Sequence, residues 1–431
     1  MLIKILQLLA SLSLLVIIHE FGHYIFARIF KCRVEKFYLF FDWKFSLFKK
    51  KIGDTEYGIG WIPLGGYVKI SGMVDESMDK DQLAEPMKPW EFRAKPAYQR
   101  LMIIVAGVFM NLVLAFAIYV GMAFAWGEQY IKTDDVKHGF EFSVPAQAIG
   151  FQTGDRVISV GGEKIENSRE VAMSILLSPK RDVLVDRDGQ QIMLHVSESD
   201  VAKLLANQKM PFIGLRYPFI VADTTANGFM PGDSLTAVNG KPFYFADEFR
   251  AQFAEHKGDS IDVSFVRAGQ VVDRRVAVDT AGRIGVLIAS NNIYPVTVNK
   301  YSILEAIPRG AEKAVEQVSS YFDQLGLIFS PETQAYKGVG GFIAMGKIFP
   351  DTWNWYSFWS ITALLSIMLA VLNIMPIPGL DGGHLLFIVY EMITRRAPSQ
   401  KFMEVAQYIG FVLILGLVLV VNASDVVKLF R

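Results

Sequence analysis

Two histidines one helical turn apart, His19 and His23, bracket a glutamate at position 20 in the run HEFGH. On a helix, residues i and i+4 share a face, so both imidazoles can bind one zinc ion, with Glu20 beside them as general base. The run stands at the end of an apolar stretch that begins at Ile5. Ionisable groups at such a place are costly if they face lipid and are functional by default, the alternative being a polar helix end that reaches the headgroups. Catalytic zinc takes three protein ligands and a water, so one ligand must come from elsewhere. The chain has one cysteine, Cys32, and six histidines, which leaves no thiolate cluster for a metal and no internal disulfide. The best remaining candidate is Asp381 in AVLNIMPIPGLDGGHLLF, where an apolar run is broken by Pro376, Pro378 and Gly379. A break of this kind frees backbone groups and lets a side chain reach an ion in a cavity. As bare composition, a Pro-Gly-Asp-Gly cluster is more often a turn at a helix end. His384 follows closely enough to be a ligand too, although three already suffice.

The elements that must position these groups are membrane helices. The 431 residues are 52% hydrophobic with a mean hydropathy of +0.30, more than a soluble chain of this size needs. Formal net charge is zero and no long block of like charge occurs, which gives no footing for nucleic acid. Four stretches, near 4–28, 101–125, 356–376 and 405–422, are long and apolar enough to cross a bilayer, which takes about 20 residues of helix. The first could be mistaken for a signal peptide, but no small-residue cleavage site follows it and the helical pattern continues through HEFGHYIFARIF. Basic residues from Arg28 to Lys51, with Lys95 and Arg100, place the loop between the first two helices in the cytoplasm; Arg395, Arg396 and Lys401 do the same for the last connection. Both termini and the segment 127–355 then lie outside.

Within that segment GDRVISVGGEKI from Gly154 matches GDSLTAVNGKPF from Gly232, an offset of 78 residues. Each copy continues into a helix-like stretch (REVAMSIL, then ADEFRAQF) and a hairpin. The pattern resembles two tandem PDZ domains, which bind an extended peptide as an added strand; spacers that recognise nothing are the alternative. Residues 306–330 read as an amphipathic helix that lies along the outer membrane surface or packs on the repeats. Residues 53–72, GDTEYGIGWIPLGGYVKISG, read as a hairpin turning around Pro63–Gly66. Its apolar content beside a membrane helix fits a segment that dips into the bilayer where protein or a wet cavity satisfies its backbone.

HEFGH, GGYVKI at 65–70, QRLMIIVAGVFMN at 99–111 and NIMPIPGLDGGH at 373–384 together resemble the site-2 protease family of intramembrane zinc metalloproteases. The likeness is to its bacterial PDZ-bearing members, regulators of sigma-E-type envelope stress signalling, and runs over essentially the whole chain. It implies His19, His23 and Asp381 as zinc ligands and Glu20 as catalytic base. It also implies Asn373, Pro376 and Pro378 in the segment that holds the substrate backbone. The hairpin, with Gly65, Gly66 and Tyr67, resembles the family's membrane-re-entrant β element, and GVGGFIAMG from Gly338 resembles the stretch before its third helix. One departure is Val108 after Gly107, where the family often has proline; Asn111 keeps its place.

The expected fold is an α-helical polytopic membrane protein of four transmembrane helices and a re-entrant β-hairpin, with two inserted α+β PDZ-like domains. Residues 1–126 form its N-terminal membrane part, 127–220 and 221–300 the PDZ-like domains, 301–355 an amphipathic connector and 356–431 the C-terminal membrane part. The expected activity is a Zn2+ endopeptidase of a bacterial inner membrane, with its active site near the cytoplasmic face. Its expected substrates are single-pass transmembrane proteins already trimmed outside, such as anti-sigma factors or remnant signal peptides. A membrane-tethered PDZ adaptor with a vestigial metal site would keep the repeats without needing the intact set of His19, Glu20, His23 and Asp381. A zinc transporter would have no use for Glu20 as a base or for PDZ domains. His138, His195 and His256 fall in the outer segment and read as surface or core residues.

Overall fold

The structure, a computed structural model, describes residues 1–73, 86–206, 211–224, 227–290 and 293–429. The chain forms two compact units. The first comprises Met1–Gly127, Lys300–Phe322 and Val339–Arg431; the second comprises Glu128–Asn299 and Asp323–Gly338.

Among the described residues, four helices in the first unit are long and apolar enough to cross a membrane: α1 (Leu2–Ile29), α2 (Ala97–Trp126) and two further along the chain. Before those two come α3 (Ile303–Phe329), which is amphipathic as expected, and the short α4 (Phe342–Ile348). The third apolar helix is α5 (Trp355–Ile374), followed by α6 (Asp381–Thr394) and the fourth, α7 (Gln400–Leu429). With 28 residues, α1 is about 42 Å long at roughly 1.5 Å per residue, more than a hydrocarbon layer of about 30 Å. In lipid no hydrophobic force draws helices together, so contact depends on small residues and on polar groups that pair across the interface. Both devices occur here. Gly22 lets α1 lie directly on the α2 backbone at Ala106 and Gly107, where a Cβ would overlap. Ser366 on α5 donates to Asn111 O at 2.8 Å, and the Thr362 hydroxyl sits 3.0 Å from that of Ser11, tying α5 to α2 and α1.

Between α1 and α2 lies a four-stranded sheet of β1 (Val34–Phe41), β2 (Phe48–Ile52), β3 (Thr55–Ile59) and β4 (Ile62–Ile70), ordered β2-β3-β1-β4. Strand β1 runs parallel to β3 and antiparallel to β4, and β2 with β3 forms a hairpin around Gly53 and Asp54. The hairpin expected at 53–72 is therefore corrected. Pro63, Gly65 and Gly66 lie inside β4, and β1 stands between β3 and β4. The physical reason lies at the end of β1, which bulges at Phe40 (φ 68°). Gly60, having no side chain, crosses against the Phe40 and Phe41 carbonyls and carries the chain from one side of β1 to the other.

In the second unit the sequence repeat becomes a structural one. Strands Arg156–Val160, Glu163–Lys164, Asp182–Arg187 and Gln190–His195 form one sheet. Strands Ser234–Val238, Lys241–Pro242, Ser260–Arg267 and Gln270–Ala277 form another with the same order. Helices Val171–Leu177 and Ala246–Ala254 occupy matching places and bury Ile175 and Phe249. Each repeat buries the aspartate of its Gly-Asp turn. Asp155 accepts from the Gln152 amide and from Arg187, Asp233 from the Met230 amide and from Arg267, at 2.6 to 2.8 Å.

Candidate metal centre

The spacing of HEFGH does what a helix requires of it. His19 and His23 emerge from one face of α1, 7% and 5% exposed, on the side packed against α2. Their Nε2 atoms lie 3.2 Å apart, and Asp381 Oδ2, at the first turn of α6, lies 3.1 Å from His19 Nε2 and 3.3 Å from His23 Nε2. Zinc-to-ligand bonds of about 2.0–2.1 Å at tetrahedral angles put ligand atoms roughly 3.3–3.4 Å apart, so the triangle has the size of three corners of a zinc tetrahedron. The buried Asp381 Oδ2 has no aligned hydrogen bond. These are the groups among the described residues whose donor atoms converge as a metal site.

The far side of each ring is held as a metal-binding imidazole needs. His23 Nδ1 lies 2.9 Å from Ile103 O, a group that only accepts, so Nδ1 carries the proton and Nε2 offers its lone pair to the centre. His19 Nδ1 lies 3.2 Å from the Asn111 amide, whose oxygen is otherwise buried without a partner. With that amide turned, its oxygen accepts from His19 Nδ1–H, which again frees Nε2 for the centre. Gly107 is the point where the α2 backbone closes over the two rings; a Cβ there would overlap His23 Nε2 and lie 2.7 Å from His19 Cε1.

Glu20 belongs to the adjoining face, toward β4. The Val68 backbone N–H bonds its carboxyl, and a Cβ on Gly66 would lie 3.7 Å from its Cγ. Asn373, near the end of α5, brings its amide nitrogen 3.3 Å from His19 Nε2. The structure thus gathers His19, Glu20, His23, Asn373 and Asp381 with Gly66 alongside. Other expected substrate contacts are placed differently. Tyr67 donates to Asp42 Oδ1 at 2.8 Å and stacks on Tyr38 and Phe41, so its ring is engaged within the sheet. Gly65 packs against the Phe41 ring, on the Tyr67 side of the strand. Pro376 is exposed, while Pro378 is wedged against Gly383 and Gly410. The two glycines after Asp381 have a mechanical role, since Gly382 and Gly383 let α6 start directly against the Met375–Pro378 backbone. His384 pairs with Gln407 of α7 and stays out of the triangle. His195 is exposed beside Asp182, His256 lies near Asn239, and His138 packs among Tyr244, Phe245 and Tyr294. Sequence reasoning missed Ile103 and Asp42; an asparagine and a glycine inside the apolar run of α2 were the available signal for the ring-holding face.

Apolar spanning helices around a His-His-Asp triangle with an adjoining glutamate define the class of membrane metalloproteases. The chain belongs to peptidase family M50, the site-2 proteases, whose family model it matches over residues 7–417. Similar proteins extend over the same length. One from Neisseria meningitidis serogroup A, named as a zinc metalloprotease, is 28% identical over 99% of both chains. Another so named, from Clostridium perfringens, is 26% identical over 97% of both. Metalloprotease MmpA of Caulobacter vibrioides is 26% identical over 98% of this chain and 95% of its own.

Proposed function

We propose that this protein is a zinc endopeptidase that cuts single-pass membrane proteins within the bilayer after their outer parts have been trimmed. The observation that carries the reading is the triangle of His19, His23 and Asp381 with Glu20 on the adjoining face. Zinc held there would polarise a peptide carbonyl and make a water acidic enough to attack near neutral pH. Glu20, on the adjoining face, would serve as the base that takes the proton from that water and returns it to the departing amine nitrogen. Asn373 donates an amide N–H to the substrate backbone or to the oxygen that gains charge.

A membrane helix keeps its carbonyls hydrogen-bonded internally, so a substrate must unwind before a peptide bond can be reached. Strand β4 supports this step. It is an edge strand lying along α1 at Val16 and Glu20, and an extended segment can add to such an edge. In this reading the sheet is re-entrant in the membrane, and the loop between α1 and α2 faces the cytoplasm of a bacterial inner membrane. The two repeats are PDZ domains outside it that exclude substrates with bulky outer parts. Anti-sigma factors and remnant signal peptides have the required form.

The test is cleavage of a trimmed single-pass substrate in liposomes with bound zinc measured in parallel. Glu20→Gln is expected to keep zinc and lose about 10²–10⁴-fold in rate, the usual weight of a positioned general base. Asp381→Asn is expected to lower both. Full activity in Glu20→Gln would remove the mechanism. Deleting 127–290 should abolish discrimination between intact and trimmed substrate; unchanged discrimination would remove the size filter.

A further inference from the structure

The edge of the sheet away from α1 carries a feature that the proteolytic reading does not use. At the tip formed by β2 and the β1–β2 loop, Trp43, Phe45, Leu47 and Phe48 are 56–66% exposed, and Trp61 is 40% exposed beside them. These are not loose ends. Phe45 stacks on Trp61 with ring centroids 5.6 Å apart, and Trp61 Nε1 donates to Trp43 O at 2.8 Å, so these three residues are tied together, with Leu47 and Phe48 exposed next to them along the chain. Lysines are set among them. Lys44 lies 4.5 Å over the Trp43 ring, and Lys49, Lys50 and Lys51 are exposed along β2 with no acidic partner among the described residues.

A contiguous apolar patch of this kind marks an interaction surface. Exposed aromatic rings beside lysines that have no ion pair among the described residues match the boundary where acyl chains meet anionic headgroups. The tether agrees, since β1 follows the end of α1 after only a few residues and so stays near the end of a helix read as spanning the membrane. We propose that the β2 edge docks into a layer of anionic lipid headgroups, the aromatic tip at the acyl boundary and the lysines against phosphate. The contact braces the sheet from the side opposite β4, so that the edge beside Glu20 keeps its position along α1. This inference rests on α1 spanning the membrane and not on catalysis.

The test uses the full chain carrying Leu47→Cys, labelled with the polarity-sensitive dye NBD and reconstituted in liposomes of phosphatidylcholine alone or with phosphatidylglycerol. Cys32 is buried and stays unlabelled. The expected result is a blue shift, and stronger quenching by doxyl-labelled lipid, in the anionic liposomes. High salt should reduce both, and the combined change Lys49→Gln, Lys50→Gln and Lys51→Gln should abolish them. Equal quenching in the two liposomes, or a gain that survives the triple substitution, overturns the proposal. So does a shift that appears only when a single-pass substrate is added, which would make the patch a protein-docking surface. The Glu20→Gln background separates the two readings. Anionic-lipid quenching alongside undiminished cleavage would sink the proteolytic mechanism and leave the lipid contact standing.

Discussion

Gly107 shows how narrow the tolerances are around the ring pair. His23 is pinned from behind by Ile103 O, and His19 by Asn111, so neither ring can retreat from a side chain on α2 without losing the bond that sets its tautomer. Gly107→Ala puts a methyl group against both rings. Bound zinc is expected to fall by about 10–100-fold in affinity, as when a supporting group of a metal site is lost. Helix content should be unchanged, and metal analysis beside circular dichroism checks both. At this scale the HEFGH motif was legible because its geometry is local to one helix. Gly107 was visible only as a position lacking a following proline, because what it touches lies on another helix. Tyr67 shows the reverse case, where proximity in sequence to Gly66 implied a shared role that the alternation of strand faces divides between the active centre and the sheet interior.

Among the elements, α4 depends on a borrowed end. Its own N-terminus has no side-chain cap, and the need is met from α7, where Asp425 Oδ2 accepts from the Gly341 and Ala344 amides at 2.9 Å and Asn422 Oδ1 from Phe342 N at 3.0 Å. Asp425→Ala strands two backbone donors that are hard to satisfy elsewhere, which costs about 1–3 kcal/mol. Amide exchange at 341–345 should then accelerate by roughly tenfold or more, since about 1.4 kcal/mol is one decade; an unchanged rate would mean that the segment does not need the tie. Hydropathy made all four spanning helices readable, because each is a continuous property of its own residues. The sheet was not readable in the same way. Nothing local tells Val34–Phe41 that it must be the central strand, and a turn-rich stretch such as 53–72 looks like a closed hairpin until a distant strand competes for both of its edges.

Across the molecule, the Gly-Asp repeat proved legible because each copy carries its own means of closure, a buried aspartate clamped by an arginine from the neighbouring hairpin. The hydrogen bond from Arg267 is the main influence holding the Asp233 carboxyl below the usual carboxylate range, against the opposing effect of burial. A group with a lowered folded pKa adds stability that is present above its unfolded value, about 3.9, and is lost as pH falls through the folded value. The melting temperature of Asp233→Asn should therefore lie below that of the unaltered chain at neutral pH. The gap should narrow only once the pH drops below about 4, which thermal unfolding across that range will show. A gap independent of pH would mean that the charge is not what closes the turn.

The order in which the proposed ligands leave the ribosome has its own consequence. His19, Glu20 and His23 emerge together, whereas Asp381 follows about 360 residues later. At roughly 5–20 residues per second, about 20 to 70 s separate the first ligands from the last. Through that interval the growing chain carries two imidazoles and no third anchor. Until Asp381 has been made, the proposed zinc site lacks its third ligand, so the proposed chemistry cannot begin.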